Sequence, residues 1–376
     1  MDTLVLILPL FLLSFANGSN DVSKGISTLV GSRITGYRSA IIWGTACTAT
    51  GATVSAFFAI EMIKTFSGAI NSDSIDIAFP IAVFTGASLW VIISSRTGIP
   101  VSTTHAITGA LFGAGTLAVG FNNLEWQVLG KKIILPLAFS PLIALGLSWL
   151  FFPVIRRLYS LTGNYCICIE KKEEVFYTPV SKAMPGTISA IAQVKPIPQT
   201  SLIAAEKSAC SDYLYSNTRV DLPDLFHWLS SGMTSFARGL NDTPKIVAIA
   251  LTMTDVETGM HKTLFFLVAS LAMGIGSTVS GLRVTRTLAE RITPMNPQEG
   301  LVANITTSIL VTIAARFGLP VSTTHVSSGS IIGIGLKCGM EKVRWRIVLE
   351  MVLAWIVTMP SSALIAFLAF WCLNKL

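Results

Sequence analysis

The chain has 376 residues, of which 52% are hydrophobic and only 12% charged, with 27 Lys and Arg against 20 Asp and Glu. Soluble domains carry about 25% charged residues, so this composition excludes an ordinary soluble globular protein and places most of the chain in lipid. The net charge of +7 is not a nucleic-acid footprint, because the basic residues are scattered at the ends of apolar runs, where membrane proteins place them.

Apolar segments in the first half fall at 1–17, 39–63, 77–95, 99–119 and 131–153, several of them near the about 20 residues that span a bilayer. The first has no basic leader, and its Ser-Phe-Ala end recurs at 235–237. It is expected to be a mature membrane helix and not a signal peptide. The run stops at Gly18, just ahead of Asn20-Asp21, which predicts a helix broken at that point. Residues 156–222 differ in composition, with Glu170-Lys171-Lys172-Glu173-Glu174 and prolines 179, 185, 196 and 198. They predict a solvated connector with short strands at 165–169 and 175–178. The second half gives apolar runs at 224–240, 244–254, 262–282, 299–315, 319–337 and 346–373. The run at 244–254 is expected to continue the one before it across a break at Asn241-Asp242.

That pattern leaves about five crossings per half, and an odd number turns the second half upside down relative to the first. The predicted fold class is an all-α polytopic membrane protein. Two inverted-topology repeats with broken helices or re-entrant hairpins would meet at a midplane site. Residues 1–155 form membrane repeat 1, 156–222 a cytoplasmic central loop, and 223–376 the inverted repeat 2. Loops carrying Arg33, Arg38, Arg96, Arg156 and Arg157 are richer in basic residues than those carrying Lys64, Lys131 and Lys132. The excess places the first set and the central loop in the cytoplasm and both termini outside.

Two polar strings recur between the apolar runs. Gly98-Ile99-Pro100-Val101-Ser102-Thr103-Thr104-His105 returns 220 residues later as Gly318-Leu319-Pro320-Val321-Ser322-Thr323-Thr324-His325. Ser14-Phe15-Ala16-Asn17-Gly18-Ser19-Asn20-Asp21 returns at an offset of 221 as Ser235-Phe236-Ala237-Arg238-Gly239-Leu240-Asn241-Asp242. A duplicated polar motif in a membrane chain points to one binding site built from two halves, as in secondary transporters.

In the first string, proline suits the opening turn of a helix. The residues after it offer free amides and hydroxyls at the positive end of the helix dipole. Ser102, Thr103 and Thr104 would meet one oxyanion from one side, and Ser322, Thr323 and Thr324 from the other, a donor set suited to a tetrahedral anion. The competing role for these hydroxyls is helix capping. In the second string, a carboxylate at membrane depth is a functional hypothesis by default. Asn20, Asp21, Asn241 and Asp242 offer hard oxygens to an alkali cation. Two aspartates plus a phosphate-like anion repel one another, so the site is expected to want cations bound with the anion, which makes their occupancy mutually dependent. Lys24 and Lys245, three residues after each aspartate, either neutralise it or snorkel to the interface, and snorkelling is the expectation. On that basis Asp21→Asn or Asp242→Asn should lose coupled uptake while the protein still folds. An enzyme is not expected: Thr103 and His105 sit on different faces of one helix, which argues against an intramembrane hydrolase. No cofactor and no nucleic-acid partner are expected.

These strings resemble the inorganic phosphate transporter (PiT) family. That family carries a duplicated Gly-Ala-Asn-Asp type signature and a duplicated Pro-Val-Ser-Thr-Thr-His type string. The resemblance covers both membrane halves. It places Asn20, Asp21, Asn241 and Asp242 on the signature, and 102–104 with 322–324 on the phosphate cradle. It implies a Na⁺-coupled phosphate symporter working by alternating access, with two inverted repeats and a homodimeric assembly. Its rivals are a proton-coupled, metal-phosphate or sulfate permease and an anion channel. The departures are Ser19 and Leu240 in place of alanine, a lysine ending each signature, and Thr48 where animal members often carry glutamate.

Overall fold

The computed structural model describes residues 2–58, 60–69, 75–178, 193–208, 219–253, 259–290 and 295–375. They fall into two units, Met1–Arg156 with His227–Leu376, and Arg157–Phe226. The helices of the first half run α1 (Asp2–Val5), α2 (Ile7–Gly31), α3 (Tyr37–Phe58), α4 (Ile60–Ser67), α5 (Ala78–Thr97), α6 (Thr103–Ala118) and α7 (Leu135–Thr162). The second half repeats the order with α8 (Leu222–Leu251), α9 (Gly259–Ser280), α10 (Leu282–Glu290), α11 (Pro297–Arg316), α12 (Thr323–Cys338) and α13 (Trp345–Leu373). Among the described residues, five helical stretches are long and apolar enough to cross a membrane, including Tyr37–Phe58, His261–Ser280 and Trp345–Leu373. Leu142, Leu150, Leu271, Leu353 and Leu364 stand exposed on such helices, as expected of surfaces that face lipid.

The predicted breaks at the Asn-Asp pairs are not there. α2 runs unbroken for 25 residues through Asn20-Asp21, and α8 for 30 residues through Asn241-Asp242 and Pro244. The glycines that suggested breaks are points of close approach. A Cβ on Gly18 would collide with the main chain of Met273, and one on Gly239 with that of Thr48. The contacts are reciprocal, since Gly276 presses on Phe15 and Gly51 on Phe236. Thus α2 lies against α9 of the other half, and α8 against α3.

The same exchange holds for the helices of the Ser-Thr-Thr strings. Gly109 and Gly113 of α6 rest on Met359 and Ala363 of α13, while Gly329 and Gly333 of α12 rest on Pro141 and Leu145 of α7. Small residues that let backbones meet are the usual means of packing helices in lipid, where the hydrophobic effect does not drive association. Gly113→Val is expected to cost about 3 kcal/mol, the upper end of overpacking, read as a lower thermal midpoint in detergent. Gly146→Ala, where an added Cβ meets nothing within 4 Å, should leave that midpoint unchanged.

The smaller unit holds a three-stranded antiparallel sheet in the order β2-β1-β3, from β1 (Tyr165–Thr178), β2 (Gln193–Glu206) and β3 (Arg219–Asp221). The two short strands expected at 165–169 and 175–178 are one continuous strand, in register with β2 from Tyr165↔Glu206 to Thr178↔Gln193. Pro196 and Pro198 sit in β2, an edge strand, where two residues lacking an N–H are tolerated. Prolines 179 and 185 lie outside the described residues.

Candidate functional site

Each Ser-Thr-Thr string begins a helix in the same way. Gly98, at φ 77°, ends α5, and Gly318, at φ 65°, follows α11. The chain then passes through Pro and Val, outside any helix, to an N-cap serine in extended form. Ser102 Oγ accepts the His105 amide at 3.1 Å, and Ser322 Oγ accepts the His325 amide at 3.2 Å. The serines therefore cap, and proline precedes the cap instead of opening the helix. The amides of Thr103 and Thr104, and of Thr323 and Thr324, stand in the first turn, where no carbonyl of their own helix can reach them. The rings of His105 and His325 lie tilted by 44° with centroids 4.4 Å apart, and the Trp355 ring lies 3.9 Å from that of His325, tilted by 36°.

The two helix starts meet, and they cross-link reciprocally. Thr324 Oγ1 donates to the Val101 carbonyl at 2.8 Å, and Thr104 Oγ1 to the Val321 carbonyl at 3.4 Å. The same two carbonyls accept the asparagine side chains. Asn20 Nδ2 reaches Val101 O at 2.7 Å, and Asn241 Nδ2 reaches Val321 O at 3.1 Å. Each asparagine also donates to its neighbouring aspartate, Asn20 to Asp21 at 2.6 Å and Asn241 to Asp242 at 2.8 Å. Thr103 Oγ1 donates to Asp21 Oδ2 at 3.3 Å; Thr323, its counterpart, is equally buried. The residues singled out from the sequence, Asn20, Asp21, 102–104, Asn241, Asp242 and 322–324, thus converge on one buried locus, each at most 3% exposed.

Lys24 and Lys245 depart from expectation. Neither snorkels. Lys24 Nζ ion-pairs with Asp21 and donates to the Asn20 carbonyl at 2.9 Å. Lys245 Nζ pairs with Asp242 at 3.2 Å and donates to Thr104 Oγ1 at 2.8 Å and to Val321 O at 2.9 Å. The physical reason is the unbroken helix. With α2 reaching Gly31 and α8 reaching Leu251, both lysines lie well inside the helix, too deep for their side chains to reach the interface. An ammonium so buried needs an anion within hydrogen-bond distance.

Two residues were missed. Asn17 Nδ2 bridges both carboxylates, reaching Asp21 Oδ2 at 3.0 Å and Asp242 Oδ2 at 3.3 Å. Its counterpart is Arg238, only 1% exposed. The signal for Arg238 was present: a full charge between Ala237 and Gly239, at membrane depth in a mostly apolar helix. Three buried cations, Lys24, Lys245 and Arg238, therefore stand among two carboxylates, where two unneutralised aspartates had been expected. The side-chain oxygens of Asn17, Asn20 and Asn241 are buried and have no hydrogen-bond donor among the described residues.

One side of the site adjoins open space. A cavity of about 500 Å³ is lined by Gly98, Pro100 and Val101, with Trp90, Thr287 and Glu350. On the other side Thr65 Oγ1 of α4 donates to the Gly318 carbonyl at 2.9 Å, and Glu61 lies where a Gly318 Cβ would go.

Apolar helices long enough to cross a membrane, packed around a buried polar locus, make this a multi-pass membrane protein. The model of the phosphate transporter family, PHO4, matches residues 17–366, and the chain belongs to that family. It is 25% identical to the "Probable low-affinity inorganic phosphate transporter" of Bacillus subtilis, with 100% of this chain and 98% of that one covered. It is 27% identical to the protein of the same description in Rhizobium meliloti, with 95% and 92% covered. A solved structure described as "The sodium-dependent phosphate transporter" matches at TM-score 0.76 and 22% identity over 100% of this chain and 99% of its own. That likeness concerns the fold.

Proposed function

We propose that the chain carries inorganic phosphate across the membrane by alternating access around this locus. The single observation that carries the reading is the facing pair of helix starts, cross-linked through Thr104 and Thr324 and buried at the meeting of the two halves. Ser102, Thr103, Thr104, Ser322, Thr323 and Thr324 would line the anion from both sides, with Asn20 and Asn241 beside it. The second half is the inverted repeat of the first, so one bundle rocks against the other. On the orientation given by the basic residues, with the termini outside, the cavity beside Gly98 opens toward the cytoplasm. A homodimer is the assembly we expect.

For coupling we propose Na⁺, transported with the anion. The orphaned oxygens of Asn20 and Asn241 favour it, with Asp21 and Asp242 as further ligands. The lysine pairs favour a second reading, in which fixed ammonium groups already neutralise the aspartates and a proton gradient drives uptake. Radiolabelled phosphate uptake into liposomes at fixed pH separates them. Accumulation with an inward Na⁺ gradient but not a K⁺ gradient supports Na⁺. Accumulation indifferent to Na⁺ and driven by external acid supports protons. Passive flux with no accumulation under either gradient would overturn the transporter reading, and sulfate competition tests the anion.

Thr324→Val removes one hydroxyl from the cradle and one cross-link. It is expected to weaken phosphate binding about tenfold, the value of about one hydrogen bond, with Thr104→Val similar. Unchanged affinity in both would remove the cradle.

A further inference from the structure

We infer that Arg238 is the charged anchor of the transported anion, donating its guanidinium fork to two phosphate oxygens while the two helix starts supply neutral donors. The inference rests on the phosphate reading above and names the residue that reading lacks. Arg238 is 1% exposed, and Nε, Nη1 and Nη2 have no hydrogen-bond acceptor among the described residues. The carboxylates of its surroundings are engaged elsewhere: Asp21 with Lys24, and Asp242 with Lys245. A buried guanidinium with nothing to donate to is costly, so an acceptor belongs in its place in the working protein.

Arg238 lies within electrostatic reach of both aspartates of the site. Arg238 stands four residues before Asp242, on the same face of α8. Its counterpart Asn17 stands four residues before Asp21 and reaches both carboxylates. Arg238 feels both aspartates electrostatically without pairing with either. The fork geometry of arginine matches two oxygens of a tetrahedral oxyanion. With the two lysines, Arg238 leaves the locus one positive charge in excess of its aspartates, so a phosphate monoanion brings it to neutrality. Anion binding then requires no added cation, even if Na⁺ is needed to complete the transport cycle.

The test is equilibrium binding of radiolabelled phosphate to the full-length protein in nanodiscs, in choline chloride and in NaCl at one pH. Wild type should bind in both. Arg238→Asn, which copies the residue at the matching position, should weaken binding about a hundredfold. Arg238→Lys should fall between, because an ammonium is a point charge without the fork. The thermal midpoint without phosphate separates anchoring from a structural role. It should hold or rise in Arg238→Asn, and added phosphate should raise it in wild type but not in the variant. Wild-type affinity in Arg238→Asn overturns the inference, as does a lowered phosphate-free midpoint together with lost binding. If Arg238→Asn does not fold, wild-type affinity in Arg238→Lys overturns it. Binding by wild type only in NaCl overturns it and leaves the phosphate reading intact. If wild type binds sulfate and not phosphate, the phosphate reading has failed, and the same comparison made with sulfate decides whether Arg238 anchors the anion.

Discussion

Asp21→Asn is expected to destabilise the folded protein by about 3–5 kcal/mol, the cost of breaking a buried ion pair from one side. Lys24, 1% exposed, would keep its charge with only the Asn20 carbonyl left to accept from it among the described residues. The sequence alone suggested that this variant would fold normally and lose only uptake. The ion pair reverses that order: the fold suffers first. Asp21→Asn combined with Lys24→Met removes both charges and should recover most of the loss, since an apolar replacement of a buried pair is often neutral. Thermal unfolding in detergent checks this. If the single variant melts with wild type, the Lys24–Asp21 pair does not carry the stability assigned to it.

Lys245→Met is expected to lower phosphate uptake about a hundredfold, beyond its cost to stability, and Lys24→Met is not. The difference lies in where each ammonium points. Among the described residues Lys24 hydrogen-bonds to Asn20 and Asp21 of its own helix, whereas Lys245 joins Asp242 to Thr104 and Val321, tying the start of α6 to the second half. Losing that bridge takes a charge-assisted bond, worth about 1.5–3 kcal/mol, from a threonine of the cradle. Uptake by the two variants at matched amounts of folded protein distinguishes them. Equal uptake would show that the bridge between the halves is dispensable.

What the sequence made legible was what it repeats. The two Ser-Thr-Thr strings and the two Asn-Asp pairs were found because they occur twice, and the structure brings all four together. What it hid follows from the same logic. Arg238 sits where the copies differ, so matching them passes over it. Lys24 and Lys245 are repeated, but run-length reasoning ended the helices at glycine and so placed both lysines near water. Gly18 and Gly239 carry the same ambiguity: a glycine in an apolar run marks either a turn or a close approach. Only the passage of Met273 and Thr48 beside them decides for the latter. Position 17 gave no signal of its own, because an asparagine that bridges two carboxylates has the same identity as one that caps a turn.

The mismatch between Asn17 and Arg238 bears on how such a chain can have arisen. A symmetric pair of identical half-length chains would place two asparagines or two arginines at the meeting of the halves. Two asparagines would leave the locus with no surplus charge for an anion. Two arginines would set a second unpaired guanidinium beside the first. In one polypeptide each copy can carry its own residue, so a single extra charge can stand where two-fold symmetry would give none or two. One of the positions where the two strings differ, Asn17 against Arg238, is therefore the one that sets the net charge of the locus.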